Sequence, residues 1–428
     1  MMGAYRGVTE EVVVRIALLS YRSKAHCGGQ GVYVRHLSRG LAELGHDVEV
    51  FSGQPYPDDL DPRVTLTKVP SLDLYREPDP FRTPRRDEFR DAVDVLEYAT
   101  TLTGCFAEPL SFSLRAARLL RGRAEDFDVV HDNQSLGYGL LAVMRHGLPL
   151  VATIHHPISR DRRVDLAAAP LRRKLSVARW YGFVRMQARV ARRIPVVLGV
   201  AGVSAADAVH DFGLDATQLH VVPLGVDTEL FAPSTTRVAG RLVAIASADR
   251  PLKGVVHLLE AVAKLRTERD VELQLVSQLE PGGATERRIA ELGIDDCVTV
   301  THGLSDAELA ALLASAEVMC VPSLYEGFSL PTVEALSCGT PVVASRAGAL
   351  PEVVGDDGSC AVLVEPGDAE ELAGAIGSLL DSPAERARLG RAGRRRALER
   401  YSWTSVAQAT VDAYEGAIAG ATRKAATC

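Results

Sequence analysis

The chain has 428 residues, of which 47% are hydrophobic and 24% charged, and its formal net charge is −7. This length predicts two domains rather than one core, and the apolar share excludes a globally disordered protein. The negative charge argues against a general nucleic-acid binder. The seven cysteines form no Cys-x-x-Cys pair, and no apolar window reaches the ~18 residues of a membrane-spanning helix, so a cytoplasmic protein is expected.

Short apolar runs alternate with helical patterns along the whole chain. In the first half, the predicted strands lie at 12–20, 46–53, 64–70, 127–133, 148–156, 195–204 and 219–226. In the second half, they lie at 241–247, 271–278, 297–303, 317–323, 341–348 and 360–366. Near-continuous apolar strands separated by helices are typical of parallel sheets covered on both faces. Two such series predict an α/β protein with two Rossmann-like, doubly wound parallel-sheet domains.

A polar stretch at 225–240 precedes a fresh strand start and predicts the domain boundary. We expect an N-terminal domain at 1–230 and a C-terminal domain at 238–404. We expect a final helix at about 405–422 to pack back on the N-terminal domain. Because ligands of open parallel sheets bind at the carboxyl ends of strands, a cleft between the domains is the expected active site.

The loop after the first strand contains Gly28 and Gly29, which are predicted to open a helix that ends at Gly45. Glycines at a helix N-terminus let the backbone approach an anion or a sugar closely. The pattern is not Gly-x-Gly-x-x-Gly, so a dinucleotide cofactor is poorly supported.

Polar side chains follow two further strands of the first half. Asp132 and Asn133 end "FDVVHDN", and His155 and His156 end "LPLVATIHH". These residues are candidates for acceptor binding, because strand ends meet at one edge of a parallel sheet. Ordinary turn chemistry for the first pair and a surface or capping role for the histidines are the alternatives.

The segment 160–193 carries eleven Lys or Arg residues against two Asp, with Trp180, Tyr181 and Phe183 interleaved. A helix on a membrane surface, useful for a lipid acceptor, is one interpretation. An anionic acceptor or partner is another. The third is a solvated helix face whose aromatic side chains point to the core.

The stretch "SADRPLKG" places Arg250 and Lys253 directly after the strand at 241–247, where they suit an anionic ligand or form a solvated pair. A metal-dependent transferase would favour an Asp-x-Asp at a strand end. The candidate Asp59-Leu60-Asp61 lies in a proline-rich turn instead, so no metal is predicted.

The stretch "YEGFSLPTVEALSCGTPVVAS" (325–345) predicts a loop, a short helix and a strand. Pro331 suits the first helical position, and the helix is expected to end near Cys338. Backbone N–H groups near Thr332 and Val333 are expected to be free for an anion such as phosphate.

Glu326 in the loop and Glu334 in the first helical turn flank this expected anion site, and both can accept hydrogen bonds from hydroxyl groups. Gly327 lets a ligand approach the loop backbone. A nucleotide sugar, with hydroxyls on both sides of a diphosphate, fits the layout. The alternative is that Glu334 complements the helix dipole and Glu326 is a solvated loop acid.

The longer stretch "EGFSLPTVEALSCGTPVVASRAGALPEVV" resembles the Glu-x7-Glu donor region of the family-4 retaining glycosyltransferases, which have the GT-B fold. The resemblance is strong over about 200–400 and looser before it. It implies metal-independent transfer of a sugar from a nucleotide diphosphate, UDP by the family's habit, to an acceptor hydroxyl. It also implies retention by same-face attack, with the departing phosphate taking the acceptor proton, and no further cofactor.

The resemblance assigns catalytic roles to Glu326, Lys253, Arg250 and His155, with His156 as the alternative histidine. Arg250 and Lys253 would grip the diphosphate, Glu326 would hold the sugar hydroxyls and Glu334 the ribose. The implied donor-binding set is Gly28, Gly29, Gly327, Phe328, Ser329, Leu330, Thr332, Val333 and Glu334. Asp132, Asn133 and His156 are the candidates on the acceptor side.

Other functions on the same fold stay open at this point. A nucleotide-sugar epimerase would turn over the donor without an acceptor, and a sugar phosphorylase would need a cofactor-binding lysine that the sequence does not reveal. A non-catalytic nucleotide-sugar binder would not need leaving-group stabilisation, so the intact Glu326 and Lys253 argue against it. The acceptor is expected to be a small molecule or a lipid; the sequence specifies neither the sugar nor the oligomeric state.

Overall fold

A computed structural model describes residues 13–23, 29–76, 79–155 and 158–427. These residues divide into two compact units. Unit 1 comprises the described residues within 1–198, 208–220 and 407–428, and unit 2 comprises 199–207 and 221–406.

Unit 1 is built on a seven-stranded sheet. Its strands are β1 (Arg15–Ser20), β2 (Asp47–Ser52), β3 (Thr65–Lys68), β4 (Val129–Asn133), β5 (Leu150–Ile154), β6 (Val196–Gly199) and β7 (Leu219–Val221). They lie in the order β3-β2-β1-β4-β5-β6-β7. The central strand β1 pairs in parallel with both β2 and β4, so Ile16 lies between Val48 and Val129.

Helices cover the apolar sheet of unit 1. They are α1 (Gly29–Glu43), α2 (Ala92–Leu102), α3 (Glu108–Arg121), α4 (Gly139–Arg145), α5 (Ser159–Ala168), α6 (Leu171–Trp180), α7 (Phe183–Ala191) and the second half of α8 (Gly202–Phe212), whose first half belongs to unit 2. Buried Phe112, Leu140 and Val190 from three of these helices share one core with the strands. The unit therefore has the layered α/β architecture that the strand pattern predicts.

Unit 2 is built on a six-stranded sheet with the same kind of order. Its strands are β8 (Arg241–Ile245), β9 (Glu272–Val276), β10 (Val298–Thr301), β11 (Val318–Val321), β12 (Val342–Ser345) and β13 (Ala361–Val364), ordered β10-β9-β8-β11-β12-β13. Val243 packs in the core on one face of this sheet, and its neighbour Leu242 packs in the core on the other. Burial on both faces explains why these strands are apolar at nearly every position.

The helices of the second half are α9 (Val255–Leu265), α10 (Ala284–Leu292), α11 (Asp306–Ser315), α12 (Leu330–Ser337), α13 (Leu350–Val354), α14 (Ala369–Asp381), α15 (Pro383–Arg400) and α16 (Trp403–Thr427). The chain returns to unit 1 within α16, where Tyr414 is fully buried. No helix in the described ranges is both long and apolar enough to cross a membrane.

Each predicted strand segment contains an observed strand, so the prediction of two Rossmann-like parallel sheets is confirmed. The segment 195–204 was drawn too long, because the strand ends at Gly199 and Gly202 already begins α8. The segment 219–226 is also shorter in the structure, where β7 ends at Val221.

The basic segment 160–193 forms three helices rather than one, and the breaks fall at Pro170 and Gly182. The rings of Trp180 and Phe183 each lie 5.4 Å from the ring of Phe106, centroid to centroid. These aromatic side chains therefore pack against the unit, as the solvated-face interpretation expects. Helix α6 buries none of its described residues.

The strand order reverses direction at one point in each sheet. In unit 1 this switch point lies between β1 and β4, and in unit 2 it lies between β8 and β11. The connections leave neighbouring strands toward opposite sides there, which opens a crevice at their carboxyl ends. The loops after these four strands are where ligand-binding residues belong.

Candidate active site

The switch point of unit 2 joins the two loops that carry Arg250, Lys253 and Glu326. After β8 the chain makes a 3-10 helix at Pro251–Lys253, which Gly254 ends with a φ of 61°. A Cβ on Gly254 would lie 2.0 Å from the carbonyl oxygen of Pro322, so only glycine allows this close approach. The N–H of Leu324 also donates to the carbonyl of Leu252 at 2.8 Å. Backbone contacts therefore fix the first loop on the second.

Lys253 and Glu326 meet across this junction. The Nζ of Lys253 lies 2.7 Å from Oε1 of Glu326, and the hydroxyl of Ser323 donates to the same oxygen at 2.7 Å. A Cβ on Gly348 would lie 2.2 Å from the carbonyl oxygen of Glu326, which in turn accepts the N–H of Ala349 at 2.9 Å. Glu326 is thus held at its side chain and at its backbone.

The structure therefore brings two of the predicted catalytic residues into direct contact. Oε2 of Glu326 has no hydrogen-bond partner among the described residues, so it is available to a ligand hydroxyl. Arg250 lies in the same turn, is exposed, and has no side-chain partner in the described part of the chain. Ser323 is an additional site residue that the sequence analysis missed, although its position two residues after the end of β11 is a signal.

The loop from Gly327 to Leu330 presents the free backbone N–H groups of this site. None of the N–H groups of Gly327, Phe328, Ser329 and Leu330 has a hydrogen-bond acceptor within the described residues. The prediction that Thr332 and Val333 have free N–H groups is wrong. Both donate to the carbonyl oxygen of Ser329, at 3.2 and 3.4 Å, and both side chains are buried.

The reason for this shift is that α12 begins at Leu330, after Ser329 with a φ of 80° and a ψ of 79°. The N–H of the fourth helical residue, Val333, therefore makes the first helical hydrogen bond, to Ser329. Pro331 occupies the second helical position rather than the first. Left-handed backbone at a residue other than glycine is strained and occurs mainly where the surrounding structure enforces it. The free N–H groups therefore lie earlier, in the loop beside Gly327, where a Cβ would meet open space.

The prediction that Glu334 lies in the first helical turn is wrong, because α12 begins at Leu330 and Glu334 is its fifth residue. The side chain is half-buried, and its carboxylate has no hydrogen-bond partner among the described residues. Burial raises the pKa of Glu334 to about 7, and the charge of Asp306 adds to the rise. A carboxylate that loses water without gaining a protein donor is poised to accept hydrogen bonds from a ligand.

At the switch point of unit 1, Asp132 holds its own loop. Its carboxylate accepts the hydroxyl hydrogen of Ser135 and, at 2.8 Å, the N–H of Leu136. Burial raises its pKa to about 6, against the lowering effect of these hydrogen bonds. Both oxygens serve the loop, so the structure favours the turn-chemistry interpretation of Asp132 over acceptor binding.

Asn133 and His155 form a second pair at this edge. The ring Nε2 of His155 lies 2.6 Å from Oδ1 of Asn133, whose amide nitrogen donates to the carbonyl of Gln30 at 3.3 Å. Burial lowers the pKa of His155 to about 4, so its ring is neutral at pH 7. Nε2 then carries the hydrogen, and Nδ1 is left as an acceptor without a partner among the described residues.

Behind this pair lies a buried network that the sequence analysis missed. His131 contacts the hydroxyl of Tyr414 at 2.6 Å through Nδ1 and the hydroxyl of Thr153 at 2.7 Å through Nε2. The hydroxyl of Tyr33 lies 3.1 Å from the same Thr153 oxygen, and its ring lies 4.6 Å from that of His155. No local pattern could reveal this network, because its members come from four distant segments.

The remaining candidates are the glycine pair after β1, the alternative histidine and the Asp-x-Asp stretch. Gly28 and His156 lie outside the described residues, and Gly29 is the first residue of α1. The carboxylates of Asp59 and Asp61 pair with Arg35 at 2.6 Å and with Arg63 at 2.8 Å. The described residues hold no group of three or more His, Cys, Asp or Glu side chains suited to a metal ion.

Comparison with known proteins follows the same division of the chain. The family model for glycosyl transferases group 1 matches residues 227–396, and the model for Glycosyltransferase Family 4 matches residues 27–230. A curated Mycolicibacterium hassiacum protein, MMP alpha-(1->4)-mannosyltransferase, is 69% identical over 406 residues, which cover 95% of this chain and 99% of that protein. A D-inositol 3-phosphate glycosyltransferase of Xylanimonas cellulosilytica is 32% identical over 439 residues, covering 94% and 96%.

Among solved structures, that of Anabaena Alr3699/HepE in complex with UDP aligns with a TM-score of 0.68 at 18% identity, covering 94% of this chain and 100% of that one. At this identity the likeness shows the fold. Fold and matches together define the class, a glycosyltransferase of the GT-B fold. Since the 69% identical relative spans nearly the full length of both proteins, the family follows: the chain belongs to the family-4 glycosyltransferases.

Proposed function

We propose that this enzyme transfers mannose from a nucleoside diphosphate donor to a sugar hydroxyl and forms an α-(1→4) linkage. The sugar and the linkage are those in the name of the relative that shares 69% of its residues with this chain. The observation that carries the proposal is the unit 2 switch point, where Lys253 meets Glu326 at 2.7 Å beside a loop of free N–H groups.

The donor site would work by charge stabilisation. Lys253, Arg250 and the N–H groups from Gly327 to Leu330 would bind the diphosphate and stabilise the charge that develops on it as the glycosidic bond breaks. Glu326 would accept hydrogen bonds from the sugar hydroxyls through Oε2, and Glu334 would accept them from the ribose.

We further propose a retaining, metal-independent reaction. An α product from an α-linked donor preserves the anomeric configuration, and the departing phosphate takes the proton of the attacking hydroxyl on the same face. With the diphosphate charge met by one ammonium, one guanidinium and several N–H dipoles, the site supplies the stabilisation that a divalent ion gives in other transferases.

The sequence resemblance predicts UDP as the nucleotide of the donor, and the Anabaena protein binds UDP in its crystal. Calorimetric titration with UDP, GDP and ADP, without divalent metal, tests both the donor site and the base. We expect one nucleotide to bind selectively and to bind Glu334→Ala at least about tenfold more weakly, the ratio for a loss of about 1.4 kcal/mol. Absence of any nucleotide binding in a folded sample would refute the donor site.

Transfer itself is tested with the mannosyl derivative of the nucleotide that binds, α-mannoside acceptors and EDTA. The expected product is an α-(1→4) disaccharide, identified by nuclear magnetic resonance of the anomeric proton. Donor turnover without acceptor would point instead to the epimerase alternative, and binding without any turnover would point to a non-catalytic binder. Loss of transfer in EDTA, restored by a divalent cation, would contradict the metal-independent mechanism.

A further inference from the structure

Unit 1 contains a cavity of about 670 Å³ that the proposed reaction does not use. Its wall is formed by α2, α5, α6 and the loop before α2, through side chains that include Phe81, Leu102, Asp165, Arg173, Trp180 and Tyr181. The volume is within the range of small-molecule binding sites, roughly 300–1,000 Å³.

The lining combines apolar surfaces with hydrogen-bonding groups. Phe81 and Leu102 are 61% and 69% exposed, so together they present apolar surface at the mouth of the cavity. The ring of Phe81 lies 6.2 Å from that of Trp180, and the hydroxyl of Tyr181 donates to Oδ2 of Asp165 at 2.6 Å. Hexose rings match such a surface, since their C–H faces pack on aromatic rings and their hydroxyls need charged or polar partners at the rim.

Aromatic contacts connect this cavity to the carboxyl edge of the unit 1 sheet. The ring of Trp180 packs 5.4 Å from that of Phe106, and the guanidinium of Arg22 lies 5.7 Å from the Phe106 centroid. Arg22 follows β1 at the switch point and pairs with Glu108 at 2.8 Å. These packed side chains form the wall that separates the cavity from the loop after β1.

We propose that this cavity is an auxiliary binding site for a glycan chain, and that it holds sugar residues of an oligosaccharide acceptor away from the reacting hydroxyl. The inference rests on the proposed function, which makes the acceptor a sugar. A concave wall with a carboxylate, a guanidinium and flat aromatic faces fits a neutral carbohydrate better than it fits an anionic lipid surface.

A lipid surface would engage other residues of the same helix. Leu171 and Leu175 are 87% and 63% exposed on α6, stand beside basic side chains, and do not line the cavity. This separation lets variants distinguish the two kinds of ligand.

Tryptophan fluorescence gives a direct test, because Trp180 and Trp403 are the two tryptophans of the chain. Trp403 packs on Gly225 in unit 2, so a Trp403→Phe protein reports on the cavity alone. We expect α-(1→4)-linked mannotetraose, without donor, to change Trp180 emission saturably, and mannose to do so only at concentrations higher by about tenfold or more, since it lacks the second sugar contact. No response to the tetrasaccharide, or equal responses to both sugars, would overturn the proposal.

Matched variants separate the cavity from the rest of α6. Phe81→Ala and Arg173→Ala are expected to raise the KM for the tetrasaccharide about fivefold, with kcat and the KM for a monosaccharide acceptor unchanged. Leu175→Ala and Arg172→Ala, which alter exposed positions of α6 outside the cavity, serve as controls and should leave both KM values unchanged. Equal effects in both sets would contradict a cavity-specific site.

The two proposals fail in distinguishable ways. If the protein binds nucleotide and transfers mannose but the tetrasaccharide does not change Trp180 emission, the proposed function stands and the auxiliary site is refuted. If the tetrasaccharide changes Trp180 emission but no nucleotide binds, the auxiliary site stands and the proposed function is refuted. A Trp180 response to phosphatidylserine vesicles with none to the tetrasaccharide would overturn the glycan site in favour of a lipid surface.

Discussion

The two switch points of the chain have the same strand order but are held together differently. In unit 1, buried side chains satisfy one another: His131 lies between the hydroxyls of Tyr414 and Thr153. In unit 2, backbone contacts that require glycine position the loops, with Gly254 against Pro322 and Gly348 against Glu326.

The groups left for a ligand differ accordingly. Unit 1 offers a neutral acceptor, Nδ1 of His155, because burial lowers the pKa of this ring to about 4. Unit 2 offers charge and dipoles, in exposed Arg250, in Lys253 and in the free N–H groups of the loop before α12. A neutral hydroxyl ligand suits the first edge and a diphosphate suits the second, which is the division expected of a transferase with separate acceptor and donor sites.

The largest expected effect comes from removing charge at unit 2. Lys253→Ala should lower kcat by about 10³-fold, the scale of losing one preorganised group that stabilises developing charge. Steady-state mannosyl transfer measures it. Lys264→Ala is the matched control, since its ammonium pairs with exposed Glu370 on the surface and should leave kcat unchanged. A loss below about tenfold would show that the leaving group draws its stabilisation from elsewhere.

The backbone contacts that position the loops of unit 2 can be disrupted by a substitution that alters no charged residue. Gly254→Ala should destabilise unit 2 by about 3 kcal/mol, because the new Cβ meets the Pro322 carbonyl at 2.0 Å and the φ is 61°. Gly293→Ala has a φ of 62° with open space around it, so it isolates the strain and should cost about 1 kcal/mol. Urea unfolding followed by Trp403 in a Trp180→Phe background measures both, and equal losses would contradict the role of the close contact.

The titration of Glu334 sharpens the contrast between a charged and a neutral edge. Ribose hydroxyls bind the carboxylate form, so nucleotide binding should lower a pKa that is about 7 in the free protein. Affinity should then fall as the pH drops below 7, by about tenfold between pH 8 and pH 6, because the ionised fraction falls by that ratio.

Calorimetric titration across this pH range measures the effect on wild type. Glu334→Gln is the control, because it keeps the shape and removes the titrating proton, so only the ionisation of the nucleotide itself should remain in its profile. Parallel profiles for the two proteins would show that Glu334 does not titrate on binding.

The comparison also separates what the sequence could predict from what it could not. The strands and the loop position of Glu326 follow from local patterns, since apolar runs and the turn residues that bound them are evident over a few residues. The sequence places Glu334 in the first turn of α12, but the residue lies beyond that turn because the helix begins before Pro331. No local pattern reveals the left-handed Ser329 or the start of α12 at Leu330, and this start leaves the N–H groups of Thr332 and Val333 bonded to Ser329.

The other contacts that the sequence could not predict join residues that are far apart along the chain or lie in loops. Asp132 looked like a ligand residue because it ends a strand, yet its partners Ser135 and Leu136 lie in a loop whose conformation no pattern specifies. His131 and Tyr414 are 283 residues apart, so their hydrogen bond depends on the path of α16. Gly348 shapes the Glu326 loop only because tertiary packing brings them together.

The smallest expected effect lies in the buried network of unit 1. Tyr414→Phe removes the hydroxyl that meets Nδ1 of His131 and leaves a buried polar atom unpaired, which should cost unit 1 about 1–2 kcal/mol. Burial lowers the pKa of His131 to about 3, so the ring stays neutral and the loss should be the same at pH 5 and pH 8. Urea unfolding followed by Trp180 in a Trp403→Phe background measures it.

Tyr138→Phe is the control for this last variant, because that hydroxyl accepts a hydrogen bond from Arg189 at an exposed position. It should change stability by less than about 0.5 kcal/mol. Neither variant should alter kcat, since neither hydroxyl belongs to the groups proposed to touch donor or acceptor. A large loss of kcat in Tyr414→Phe, with stability unchanged, would mean that the buried network positions His155 for the reaction and that unit 1 contributes more than a passive neutral edge.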